Sequence, residues 1–191
     1  MKKNNTKKPQ AHFWVLPKQY FLFFVSIVFF SQINAQCPTT PCAPGVIMPA
    51  DTPIDACVLA DPGLLNGYTG STAGFTSYPI GHLCEYGAHN NQWFAFKTNS
   101  SPVVFTFTSY ACTNNQGIDM AVFHSESCTP GNYTPVSNCI EQGAPGVSII
   151  TAENLLPCET YLLMVDGFAG DICSFDIVVS SGPVIPPLGN P

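Results

Sequence analysis

Arginine is absent from this 191-residue chain, and lysine is scarce. Five of the six lysines (Lys2, Lys3, Lys7, Lys8 and Lys18) fall in the first 35 residues, which hold no acid. The remainder sets Lys97 against all 12 aspartates and glutamates, a formal net charge of −11. Nucleic-acid binding relies on lysine and arginine to neutralise phosphates, so that partner is excluded. Charged residues make up 9% of the chain and hydrophobic ones 46%, which excludes a disordered polyelectrolyte. The longest apolar run, Tyr20–Phe30, has 11 residues, well short of the roughly 20 needed for a membrane-spanning helix. The chain contains no C-x-x-C pair for zinc, no G-x-S-x-G elbow, no H-E-x-x-H pair and no glycine-rich phosphate loop. A capped apolar stripe of helical period is also missing. The nearest segment, Ala152–Leu156, is cut short by Pro157.

What the first 35 residues do have is a basic stretch, a short apolar run and the small residue Ala35 after Ser31-Gln32-Ile33-Asn34. That order predicts a secretory signal peptide over residues 1–35, cleaved before Gln36. The mature chain is then expected to be secreted, extracellular or at the cell surface, with no membrane span.

All nine cysteines lie beyond this head. In an oxidising compartment they are expected to form disulfides rather than a metal centre. Local spacing suggests three bridges. Cys158 and Cys173 flank a strand–turn–strand pattern, Cys128 and Cys139 flank a loop with proline and glycine, and Cys37 and Cys42 would close a small N-terminal loop. Cys57, Cys84 and Cys112 then remain, an odd set with one thiol unpaired.

Residues 36–54 read as a Pro-rich lead-in, residues 55–181 as the folded domain, and residues 182–191 as a Pro/Gly-rich linker to a further module of a larger protein. Inside the domain apolar residues recur with period 2. Val103, Phe105 and Phe107 alternate with Val104 and threonines, and Cys173, Phe175, Ile177 and Val179 alternate with Ser174, Asp176, Val178 and Ser180. Residues 92–97, 118–123, 146–151 and 160–165 are also strand-like, with Asn-, Gly-, Ser- and Pro-rich breakers between strands. The pattern predicts an all-β fold, an antiparallel β-sandwich stiffened by disulfides.

Several stretches together resemble a family. They are Asn66-Gly67-Tyr68-Thr69-Gly70, the run from His89 to Phe96, Gly117-Ile118-Asp119, and above all the stretch from Leu155 through Cys158 and Asp166-Gly167-Phe168-Ala169-Gly170-Asp171 to Cys173. They are similar to jelly-roll β-sandwich modules related to pre-peptidase C-terminal domains, found in bacterial secreted and cell-surface proteins. The resemblance spans roughly residues 55–181. It implies a jelly-roll-like sandwich and an accessory role in attachment, spacing or secretion, without chemistry of its own. Such modules place a cysteine just before the Asn-Gly-Tyr-Thr-Gly stretch, where this chain has Leu64 and Leu65, which would account for the odd cysteine count.

For the candidate site residues, two readings stand side by side. Asp166 and Asp171, with Asp119 as a third ligand, offer hard oxygen donors to calcium. Against this, the same loop reads as a tight turn in which Gly167 and Gly170 take φ > 0 and the aspartates are solvated, and the absence of EF-hand spacing favours the turn. Tyr86, Tyr110 and Tyr133 lie in polar surroundings and are the candidates for glycan contact; Trp93 sits among Phe94 and Phe96 and reads equally well as core. His82, His89 and His124 share no motif with a nucleophile. The expected function is a non-catalytic accessory or adhesion module of a larger protein, with glycans or other surface proteins as partners. The alternatives are a carbohydrate-binding module of a secreted hydrolase system and a small enzyme using Cys84 or Cys112 as nucleophile.

Overall fold

The computed structural model describes residues 37–80, 87–128 and 131–182. The expected signal peptide at 1–35, His82, Cys84, Tyr86 and most of the 182–191 linker lie outside the described residues.

The described residues form ten strands: β1 (Val58–Leu59), β2 (Tyr68–Ser71), β3 (Gln92–Lys97), β4 (Val103–Tyr110), β5 (Ile118–His124), β6 (Thr134–Pro135), β7 (Ile140–Glu141), β8 (Val147–Ala152), β9 (Thr160–Gly167) and β10 (Ser174–Ser181). The six segments with period-2 or apolar patterns all form strands at or within a few residues of the expected bounds. The short strands β1, β6 and β7, two residues each, carry too little pattern to be read in advance.

The strands form two sheets. The larger runs β1-β3-β9-β5-β6, with β7 also pairing with β5, and the smaller runs β2-β10-β4-β8. Every ladder is antiparallel except β1 with β3. From β2 onward the chain crosses to the other sheet at each step, apart from β5 to β7, which stay in the larger sheet, and the last two long strands each insert between earlier ones: β9 between β3 and β5, β10 between β2 and β4. This winding is that of a jelly roll. The antiparallel sandwich predicted from periodicity is the observed fold.

Phe105 and Phe107 from β4 and Phe175 and Ile177 from β10 meet Phe94 and Phe96 from β3, Met120 and Val122 from β5, and Leu163 and Val165 from β9 in the core between the sheets. Each such side chain withdraws enough apolar surface to contribute about 1.5–3 kcal/mol.

The larger sheet is buried on its other face as well, which is why β9 reads as an unbroken apolar run rather than an alternation. Trp93, Ala95, Ala121, Phe123, Leu162 and Met164 point outward into a second cluster closed by Ala56, Ile80, Cys128, Tyr78 and Tyr133. The Pro-rich lead-in forms part of this cover. Ala50 bridges to Trp93 through two backbone hydrogen bonds, and Pro41 bridges to Val58.

Disulfides tie the cover down, in pairings different from those expected. The bonds are Cys37–Cys128, Cys42–Cys57 and Cys112–Cys173; Cys139 is also bonded, and Cys158 is the free thiol among the described residues. The Cys158–Cys173 expectation fails because β9 and β10 are not a hairpin but lie in different sheets. Eight residues of β9, about 26 Å of strand, separate the two cysteines. Cys37 and Cys42 lie on an extended lead-in and turn to different partners. Cys128 and Cys139 are parted by β6, which pairs with β5. Long-range contacts set these bonds, and loop length does not report them.

Candidate functional site

Two regions of the sandwich concentrate functional groups. The first is the outer face of the smaller sheet. Strand alternation sends Val103, Phe105 and Phe107 inward and leaves Thr106, Thr108 and Tyr110 facing out. Register aligns Val178, Thr106 and Ile149 in one cross-strand row, and Thr69, Asp176, Thr108 and Val147 in the next. Val147, Ile149 and Val178 are 67%, 51% and 55% exposed, too open for scattered core residues. Beside them the Asp176 carboxylate accepts a hydrogen bond from the Thr69 hydroxyl at 2.7 Å and a longer one from the Tyr110 hydroxyl at 3.4 Å. The face is thus apolar toward β8 and polar toward β2.

β8 is an edge strand, and the Asn138 side chain covers part of its free backbone. Its amide donates to the Ile149 carbonyl at 3.1 Å, and its oxygen accepts from the Thr151 N–H at 2.6 Å. An amide side chain standing in for a neighbouring strand guards that stretch against edge-to-edge pairing.

The second region is a row of carboxylates on the covered face of the larger sheet. Asp119 lies opposite Asp166 across β5 and β9, and opposite Glu141 across β5 and β7. Directly paired residues in an antiparallel ladder project to the same side with Cβ atoms roughly 5 Å apart. Asp119 and Asp166 are fully buried, and Glu141 is half-buried. The loop before β3 reaches over Asp166: the N–H groups of His89 and Asn90 donate to its carboxylate at 3.0 and 2.7 Å, and His89 Nδ1 lies 3.5 Å from Oδ2. Even so, burial dominates and raises its pKa above the ordinary value. Asp119 is pushed further, up to about 8, by burial first and then by the charges of Asp166 and Glu141, against a smaller lowering by the Gln142 N–H. Its Oδ1 is buried with no hydrogen-bond partner.

Asp171 belongs to neither region. Its oxygens accept from the N–H groups of Asn114 and Ile172 on one side and Gln116 and Gly117 on the other, at 2.7–3.3 Å. Burial by itself would raise its pKa; the four donors outweigh that and hold it below the ordinary carboxylate range. Asp171 is an anchor that pins the 113–117 loop to the start of β10. The solvated turn expected for this segment is therefore corrected. Gly170 does take φ +80°, but Gly167 does not, and its reason is space: a Cβ there would lie 1.8 Å from the Asp171 carbonyl oxygen. Cys112 and Cys173 come close enough to Asp171 to resemble a metal-ligand cluster, but the two sulfurs are bonded to each other.

Of the sequence-predicted residues, Asp119 and Asp166 are brought together and Asp171 is kept apart. Tyr110 is exposed as expected. Tyr133 is not: its ring packs 5.6 Å from Trp93 and its hydroxyl donates to the Cys128 carbonyl, with burial raising its pKa. Trp93 is core, without exposure. Cys112 is in a disulfide and cannot be a nucleophile. Two residues escaped sequence reasoning. Glu141 is recruited by a two-residue strand without pattern. Cys158, assigned to a bridge by spacing, lines a cleft of about 520 Å³ with Cys37, His124 and Glu159, where His124 Nε2 is held 3.6 Å from the Glu159 carboxylate.

No protein-family model matches the chain, and no curated protein matches it in sequence.

Proposed function

We propose that the chain is a non-catalytic accessory module of a secreted or cell-surface protein, of the kind the pre-peptidase C-terminal resemblance suggests. On this reading it attaches to its partner through the outer face of the smaller sheet. The contrast between the two outer faces supports it. The lead-in, the loops and the Cys37–Cys128 bond cover one face, while the other presents Val147, Ile149 and Val178 to solvent. Exposed apolar rows rimmed by polar groups are the usual mark of an interaction surface. The disulfides fit an oxidising compartment.

A second reading, glycan binding, is favoured by the Tyr110, Asp176 and Thr69 group on the polar half of the same face. An aromatic ring beside a carboxylate and a hydroxyl can stack on one sugar face and bond its hydroxyls. The two readings separate by substitution. The disulfide-bonded chain is immobilised and presented with a glycan panel and with surface proteins of the producing cells. Loss of protein capture in Ile149→Lys and Val178→Lys, with Tyr110→Ala unaffected, supports attachment through the apolar half. Glycan capture lost in Tyr110→Ala supports the second reading. Capture that survives all three substitutions rules out this face.

A further inference from the structure

We infer that the lead-in and β1 together form a docking groove for an extended, apolar segment of a partner polypeptide, which adds itself to the edge of the larger sheet. The groove does not rest on the attachment reading, whose face lies on the other sheet.

β1 is an edge strand, and the lead-in bridges its free side at one residue, Pro41 to Val58. Val58 donates to the Thr40 carbonyl at 2.8 Å and accepts from the Cys42 N–H at 3.1 Å, and the Cys42–Cys57 bond fixes the lead-in there. Pro44 and Gly45 then turn the chain away from the strand, and the Val46 N–H closes that turn on the Ala43 carbonyl at 3.0 Å. Alternate residues of an edge strand direct their N–H and C=O outward. After Val58 the next to do so is Ala60, which is exposed. The departing lead-in leaves that stretch of edge without a neighbouring strand.

Beneath the open edge the surface is apolar. A cavity of about 330 Å³ lies between the turn and β1, lined by Ile47, Leu59 and Ala60. Val46 and Leu64, 39% and 53% exposed, form its rim. None of the described residues lining it carries a charge, in a chain whose residues after 35 sum to −11. Its walls are held from two sides. The Cys42–Cys57 bond holds one, and the 3₁₀ turn Pro62–Leu65 holds the other, capped by Asp61, whose carboxylate accepts from the Gly63 N–H at 2.6 Å. A preformed site spares its ligand much of the cost of ordering. Main-chain bonds at Ala60 call for an extended backbone, and the cavity takes an apolar side chain from it, as in other cases of strand addition. A free apolar molecule would fill the cavity and leave the edge unpaired. The acidic domain repels an acidic segment, so the occupant carries no carboxylate beside its anchoring side chain.

A panel of capped hexapeptides tests the groove. Each has a lysine at both ends and threonine alternating with valine, leucine, isoleucine or phenylalanine between them. Titrated into the nitrogen-15-labelled, disulfide-bonded chain, at least one is expected to bind with Kd below about 1 mM. Binding should shift the Ala60 amide resonance and slow its hydrogen exchange. Leu64→Asp and Val46→Asp, at exposed positions that leave the core intact, should each weaken binding at least tenfold, because each sets a charge against an apolar wall. Ile149→Lys, on the other sheet, should leave it unchanged. The proposal is overturned if no member of the panel binds, or if binding is indifferent to both rim substitutions. It is also overturned if a backbone N-methylated peptide, unable to pair as a strand, binds as well as its parent, which would reassign the cavity to free apolar molecules. Self-association of the chain that disappears in Leu64→Asp overturns it in favour of a second copy.

Discussion

Replacing Asp119 by asparagine should make the protein more stable, and increasingly so as pH rises. Asparagine keeps the shape of the side chain and removes its charge. In the folded wild type the Asp119 pKa is raised from 3.8 to about 8, by burial first and then by Asp166 and Glu141. The unfolded chain therefore gives up this proton near pH 4, while the folded chain holds it to about pH 8. Stability tied to the group is full below the unfolded value. It falls through the interval between the two values at about 1.4 kcal/mol per pH unit, and is lost above the folded value. Three pH units, from 5 to 8, would cost the wild type roughly 4 kcal/mol relative to the variant. Water reaching the Glu141 end screens part of that interaction, so about 2–4 kcal/mol is the expected change. The measurement is urea unfolding of both proteins in chelator at pH 5, 6.5 and 8. The quantity to follow is the difference between the two free energies, in which unrelated titrations largely cancel. Asp166 is coupled to Asp119, so the difference reports the pair rather than one residue. A difference that does not grow with pH would refute the account of Asp119 as a buried, poorly compensated carboxylate.

Asp171 predicts the opposite pH behaviour. Asp171→Ala orphans four backbone N–H donors and should lower stability by more than about 3 kcal/mol. Because its pKa is held below the ordinary value near 3.8, its contribution is present above that value and fades as pH falls through the folded one, so acid unfolding of the wild type should begin below about pH 4. The disulfides can be tested together. Removing Cys37–Cys128, whose cysteines are 91 residues apart, with serine at both positions should cost on the order of 4 kcal/mol and expose Trp93 fluorescence to quencher. Cys158→Ser should change stability by less than about 0.5 kcal/mol and remove a readily labelled thiol.

How much of this was readable in advance follows from the range of the forces involved. Strand identity is local: Phe105, Phe107, Phe175 and Ile177 announce their strands because alternation between a dry and a wet face is written into neighbouring residues. Disulfide partners are not local. Cys158 and Cys173 are 15 positions apart in sequence, yet β9 carries the chain from one end of the sandwich to the other between them. Tyr133 sits among polar residues in sequence but is covered by Trp93 and Phe123 from another element. The jelly-roll winding, which seats β9 and β10 between earlier strands, decides these contacts, and periodicity contains no information about it.

The acidic row lies between these extremes. Asp119 shares parity with Ala121 and Phe123, and Asp166 with Leu162 and Met164, so a reader of the two strands can place both acids on the face of the larger sheet that the second cluster buries. What the strands do not contain is their register, which sets Asp119 against Asp166, or the two-residue strand that adds Glu141. An acid in phase with an apolar face is a local conflict, and a fold keeps such conflicts where something else answers them. For Asp171 the answer is four N–H donors from nearby backbone. For Asp119 the described residues offer the Gln142 N–H, with Oδ1 left over. Two aspartates of the same type, both buried, thus differ in whether the chain itself completes their shell. That difference, rather than the presence of acids, separates a carboxylate that anchors a loop from one whose ionisation the fold makes costly.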